Sequence, residues 1–102
     1  MTLQEAFDET DKHMKPEDIE WFKTSGVDAI DLHHTLGQQV RNHFKLWHDG
    51  PLRATLLDLA PGQDPRDADG LSTEYVTRYL AYLRGDKAKA FGPGWSVYSL
   101  LG

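Results

Sequence analysis

The sequence predicts an all-α fold: a compact bundle of four or five helices with a central third helix and an extended C-terminal arm. Three observations point there. Breaks fall at Ser25-Gly26, Asp49-Gly50-Pro51, Pro61-Gly62, Gly85 and Gly92-Pro93-Gly94, and between them the apolar residues recur at helical spacing. Several of these segments open on a helix-starting signal. Three Trp, four Tyr and four Phe supply core material that a disordered chain would lack.

The first helix is expected from Thr2, because Thr2-Leu3-Gln4-Glu5 has the form of a capping box, a hydroxyl followed by a carboxylate three residues on. Leu3, Phe7 and Met14 then share a face. Pro16 suits the first position of a second helix, Glu17 and Asp18 complement its dipole, and Ile19 and Phe22 form its buried side. The third helix is expected from about Val27 to Trp47, capped by Ser25. Val27, Ile30, Gly37, Val40, Phe44 and Trp47 form its stripe, and Leu32, Leu36, His43 and Leu46 widen it. Gly37 in its middle is read as making room for a neighbouring helix. Gly50-Pro51 opens a fourth helix with Leu52, Leu56 and Leu59 inward. Asp64 and Pro65 read as cap and first residue of a fifth, which carries Leu71, Tyr75 and Tyr79 and stops at Gly85. On this reading residues 1–90 form the helical domain. Residues 91–102 form an apolar arm, folded on the domain or on a partner.

Composition removes several functions. At 102 residues without cysteine, the chain offers no disulfide, thiolate nucleophile or zinc–thiolate site. Its formal net charge of −5 and scattered Lys and Arg argue against a nucleic-acid reader and fit a simply solvated surface, or docking on a basic protein surface. The N-terminal stretch lacks the basic and apolar regions of a secretory leader, and no run approaches the roughly 20 apolar residues of a membrane span. A cytoplasmic protein without membrane attachment is therefore expected.

Familiar chemical motifs fail on inspection. Asp67-Ala68-Asp69-Gly70 looks like part of a calcium loop, but aligning Gly70 puts Pro65 at the first ligand position and Val76 where the bidentate Glu belongs. No two of His13, His33, His34, His43 and His48 are four residues apart on one helix, so no metal is expected. Phosphate-binding glycine loops and nucleophile elbows are absent, so no cofactor and no catalytic residue are assigned, and enzymatic activity is not favoured.

The unusual feature is Arg41-Asn42 inside the most apolar segment. A buried guanidinium needs a carboxylate or several acceptors, and Asp64, Asp67 and Asp69 are the candidates. One reading is an Arg41–Asp67 clamp between helices. The other is a polar ligand site of His34, Arg41, Asn42 and Asp67.

The run from Leu32 to Trp47, with Asp64-Pro65-Arg66-Asp67-Ala68-Asp69-Gly70 downstream, resembles a family of small bacterial and phage proteins known as a domain of unknown function. Its members carry a His-x-x-Leu-Gly-x-x-Ile-Arg-Asn-x-x-x-Leu-Trp-like helix and a His-Pro-Asp-Asp-x-Ser-like segment. His34, Gly37, Arg41, Asn42, Leu46, Trp47, Pro65 and Asp67 match that pattern. Asp64 stands where the family has His, and Asp69 where it often has Ser. The resemblance implies no assigned activity.

The functional expectation is a small acidic, non-enzymatic interaction protein, an adaptor or an inhibitor of the kind carried by phage or mobile elements. Its partner would be another protein, met by Phe91, Trp95 and Tyr98 of the arm. Homodimerisation through the same arm is a further reading.

Overall fold

The computed structural model describes residues 1–46, 50–59, 64 and 66–92. Among them six helices and no strand occur: α1 (Leu3–His13), α2 (Pro16–Thr24), α3 (Leu36–His43), α4 (Pro51–Leu59), α5 (Ala68–Leu83) and α6 (Lys87–Phe91). The all-α expectation holds. Trp47, Pro65, Trp95, Tyr98 and the arm after Gly92 lie outside the described residues.

Helix α1 starts as the sequence predicts. Thr2 Oγ1 accepts from the Glu5 N–H at 3.1 Å and Glu5 Oε1 accepts from the Thr2 N–H at 2.8 Å, which satisfies two of the free amides at the helix start. The Thr2 N–H, with the Thr2 hydroxyl adding to it, holds the Glu5 carboxyl below its ordinary pKa. Pro16 and Pro51 are the first residues of α2 and α4, as expected. The Thr55 hydroxyl donates to the Met1 carbonyl and ties α4 to the start of the chain.

The third helix departs from its predicted length. It covers only Leu36–His43, and residues 29–35 form turns. The cause is side-chain competition for backbone amides. Asp28 Oδ1 accepts from the N–H groups of Ile30 and Asp31, and Asp31 Oδ2 accepts from Asp28. Ser25 ends α2 instead of starting α3. Ile30, assigned to the buried stripe, is 78% exposed because the turn carries it outward. Gly37 makes room not for another helix but for its own turn: a Cβ there would stand 3.3 Å from the Leu32 carbonyl oxygen and 3.4 Å from Arg41 Nη1.

The central place expected of the third helix belongs to α5, which packs against α2, α3, α4 and α6. Its start lies at Ala68, with Asp67 as cap accepting from the Gly70 N–H at 2.9 Å. Asp64, the expected cap, accepts from the Arg66 N–H in the turn before it. The end at Gly85 is as predicted, with φ +82° and the Asp86 N–H reaching back to the Ala81 carbonyl. The same closure ends α3, where the Leu46 N–H bonds the Arg41 carbonyl, but there Lys45 holds the left-handed position at φ 53°.

Sequence periodicity does not foresee α6. Arg78 holds it in place, a residue with 0% exposure. Its Nε donates to Glu74 Oε1 at 2.9 Å, and its Nη1 donates to the carbonyls of Ala90 (3.0 Å) and Gly92 (2.7 Å). Its Nη2 finds no hydrogen-bond partner among the described residues. Phe91, expected to begin the arm, closes α6 and sets its ring 5.5 Å from Phe7, so it caps the parent core while 36% exposed.

Two stability outcomes follow. Replacing Lys45 by Gly relieves the left-handed strain and raises the unfolding free energy by about 0.5–1 kcal/mol in urea titration. Arg78→Ala strands the largely buried Glu74 carboxylate and lowers it by about 3–5 kcal/mol, whereas adding Glu74→Leu to Arg78→Met recovers part of the loss because no lone charge remains.

Candidate functional site

Arg41 is the first residue to place. It is 5% exposed, with Nη1 donating to Ser72 Oγ at 2.9 Å, Nη2 donating to the His33 carbonyl at 3.3 Å, and Nε 3.4 Å from Asp69 Oδ1. The guanidinium thus joins α3, the turn before it and the first turns of α5. The carboxylate at Nε is that of Asp69, while Asp67 caps α5. His34, Asn42 and Asp67 are all exposed. The clefts described next are lined by other residues.

A groove of about 590 Å³ runs between α2 and the turns of residues 27–36. Its apolar lining includes Phe22, Val27, Leu32 and Leu36, and its charged edge includes Lys15, Asp18 and Asp31. Trp21 lines it too and is 52% exposed, its ring 5.6 Å from that of buried Phe22. The walls are fixed from α5. Arg84 Nε donates to the Phe22 carbonyl at 3.0 Å, and its Nη2 donates to those of Ser25 (3.1 Å) and Val27 (2.7 Å). A cation thereby answers carbonyls left unpaired where α2 ends.

The second cleft, of about 210 Å³, opens between α1 and α3 and is lined by Thr10, Met14, Gln39 and Phe44, with His13 and His43. Beside it, Glu9 and His13 lie one turn apart on α1, and His43 reaches across from the last residue of α3. The Nε2 atoms of His13 and His43 stand 3.2 and 3.3 Å from the same Glu9 oxygen, Oε1, and the two imidazole centroids are 4.7 Å apart. The bond from His13, with Lys12 and His43 adding to it, holds the Glu9 carboxyl below its ordinary value. The sequence offers His13 and His43 only as two of five histidines without a four-residue partner histidine, and Glu9 does not stand out in it. The Glu9-x-x-x-His13 spacing was the visible half of the signal; His43 comes from another helix, and only the fold brings it near.

Of the expected partner-binding residues only Phe91 is among the described ones. Phe91 packs its ring on Phe7 and Tyr82, while Trp95 and Tyr98 lie outside the described residues.

The chain belongs to the family described as a domain of unknown function (DUF6794), whose pattern matches residues 1–80. That span takes in α1 and α2 as well as the two motifs, and stops within α5. No curated protein and no solved structure matches the chain. No helix among the described residues is long and apolar enough to cross a membrane.

The Arg41 geometry sets a graded expectation. Ser72→Ala leaves a buried guanidinium N–H unmatched and lowers the unfolding free energy by about 1–3 kcal/mol. Asp69→Asn, at a carboxylate that is 60% exposed, lowers it by less than about 1 kcal/mol in the same urea titration.

Proposed function

We propose that this family member is a non-enzymatic interaction protein that takes a basic, amphipathic segment of another protein into the groove beside Trp21. An adaptor or an inhibitor of the phage or mobile-element type would work in this way. The observation that carries the reading is Trp21 itself, a large aromatic left half in solvent at the edge of an apolar-lined groove. Tryptophan at such a place is the residue type that anchors interfaces, since it buries much area at little rotamer entropy. Ile30, 78% exposed on the turn next to groove-lining Asp31, adds a second apolar contact. Asp18 and Asp31 on the groove and the net charge of −5 favour a partner segment carrying Lys or Arg.

The polar set of His34, Arg41, Asn42 and Asp67 is the weaker basis for a ligand site, because the Arg41 guanidinium is already turned to Ser72, His33 and Asp69.

Affinity capture from native lysate, comparing the intact chain with Trp21→Ala and with a chain ending at Gly92, tests the proposal. The expected result is a stoichiometric partner, cross-linked through a basic segment, that Trp21→Ala loses at unchanged melting temperature and that the shortened chain keeps. A partner retained by Trp21→Ala but lost on shortening would overturn the groove in favour of the arm. An empty capture would overturn the interaction reading itself.

A further inference from the structure

We propose that Glu9, His13 and His43 form a three-ligand site for zinc(II), with a fourth coordination position left for water or a small anion. The proposal does not depend on the groove beside Trp21.

Two imidazoles and a carboxylate are a donor set that zinc takes readily, with bonds of about 2.0–2.1 Å to nitrogen and about 2.0–2.2 Å to oxygen. Bonds of that length at tetrahedral angles place neighbouring ligand atoms about 3.3 Å apart. The observed separations from Glu9 Oε1 are 3.2 Å to His13 Nε2 and 3.3 Å to His43 Nε2. One donor atom from each of the three residues lies within 4.8 Å of the others, so a small rotation of exposed side chains closes the site.

The backbone supports the same arrangement. Glu9 and His13 are one helical turn apart, the spacing at which two side chains on a helix can reach one ion. His43 is the last residue of α3, and its ring packs edge-on at 4.9 Å against buried Phe44, which limits where the imidazole can swing. In the metal-free arrangement a carboxylate oxygen can only accept, so a proton on the Nε2 atom of His13 or His43 is what faces it. The metal would replace those shared protons at the same nitrogen atoms.

Both histidines also line the 210 Å³ cleft, together with Thr10 and Gln39. Three protein ligands leave one tetrahedral position free, and the cleft beside it offers polar groups for whatever occupies that position. Calcium and magnesium are disfavoured, since both prefer oxygen donors.

The rival account is a plain hydrogen-bonded trio in which Glu9 bridges two imidazoles. Titration of the metal-stripped full chain with zinc(II), followed by competition with a chromophoric chelator, separates the two. The expected result is one zinc per chain, with affinity lowered by at least about 100-fold in His13→Ala, His43→Ala and Glu9→Gln, because losing even an outer-sphere partner costs about 10–100-fold. Cobalt(II) in place of zinc should give the intense visible bands of a tetrahedral site in the intact chain and lose them in His43→Ala. Trp21→Ala should bind zinc as the intact chain does, so failure of the groove proposal would leave this one standing. Absence of stoichiometric binding, or binding that survives the His13→Ala/His43→Ala double change, would overturn the site. All three side chains are at least one-third exposed, so the variants fold and the comparison is readable.

Discussion

Tyr75 is the residue on which the arrangement of helices rests. It is fully buried on α5, and its ring lies 5.6 Å from Phe7 of α1 and 5.5 Å from Phe44, which caps α3. Its hydroxyl meets Thr10 Oγ1 at 2.7 Å. Thr10 directs its own proton to the Ala6 carbonyl, so the tyrosine is the donor. Burial also pushes the phenol's pKa upward, which keeps it neutral and able to donate. A single side chain thus fixes α1 and α3 against α5 by both apolar contact and a satisfied polar group. Tyr79, one turn later, repeats the device with a 2.7 Å bond to Asp11. The cleft between α1 and α3, and the meeting of His13 with His43 beside it, are consequences of that docking.

Where Tyr75 positions helices, three arginines position the chain between them. Arg41, Arg78 and Arg84 each donate to backbone carbonyls outside their own helix, at His33, at Ala90 and Gly92, and at Phe22, Ser25 and Val27. A guanidinium suits this work because it carries five donors in a rigid plane and no acceptor, so it can satisfy several carbonyls that no helix or strand has paired. In a domain with this much irregular connection, that chemistry takes the place of backbone ladders. It also explains why Arg41 within the apolar run is compatible with folding: the charge is buried together with its acceptors.

What the sequence made legible follows from how local each signal is. Thr2 with Glu5, Pro16, Pro51 and Gly85 act within a few residues of themselves, and each marks a helix boundary where expected. The third helix is shorter than its periodicity predicts because Val27, Ile30 and Leu32 keep helical spacing while Asp28 and Asp31 claim the amides that a helix would need. Periodicity reports where apolar groups fall and is blind to that competition. The sequence points to three neighbouring aspartates for Arg41 and singles out Asp67, whereas the carboxylate at Nε is that of Asp69, because the choice depends on where α5 begins. The Glu9, His13 and His43 cluster was beyond reach for a different reason: its members are held together by Tyr75, more than 30 residues from the nearest of them.

The groove and the candidate zinc site meet at His13, whose side chain lines both clefts. His13 is the last residue of α1, and Met14, which follows it, lines both as well. An ion holding His13 to His43 would fix the end of α1 against α3 and with it one wall of the groove beside Trp21. Any segment bound in that groove would then meet a wall whose freedom depends on the metal. Linkage requires the effect to run both ways, so an occupant that prefers the fixed wall would also tighten the metal. Two surfaces with separate chemistry therefore share one mechanical element, and the short connection from His13 to Pro16 is where they would communicate.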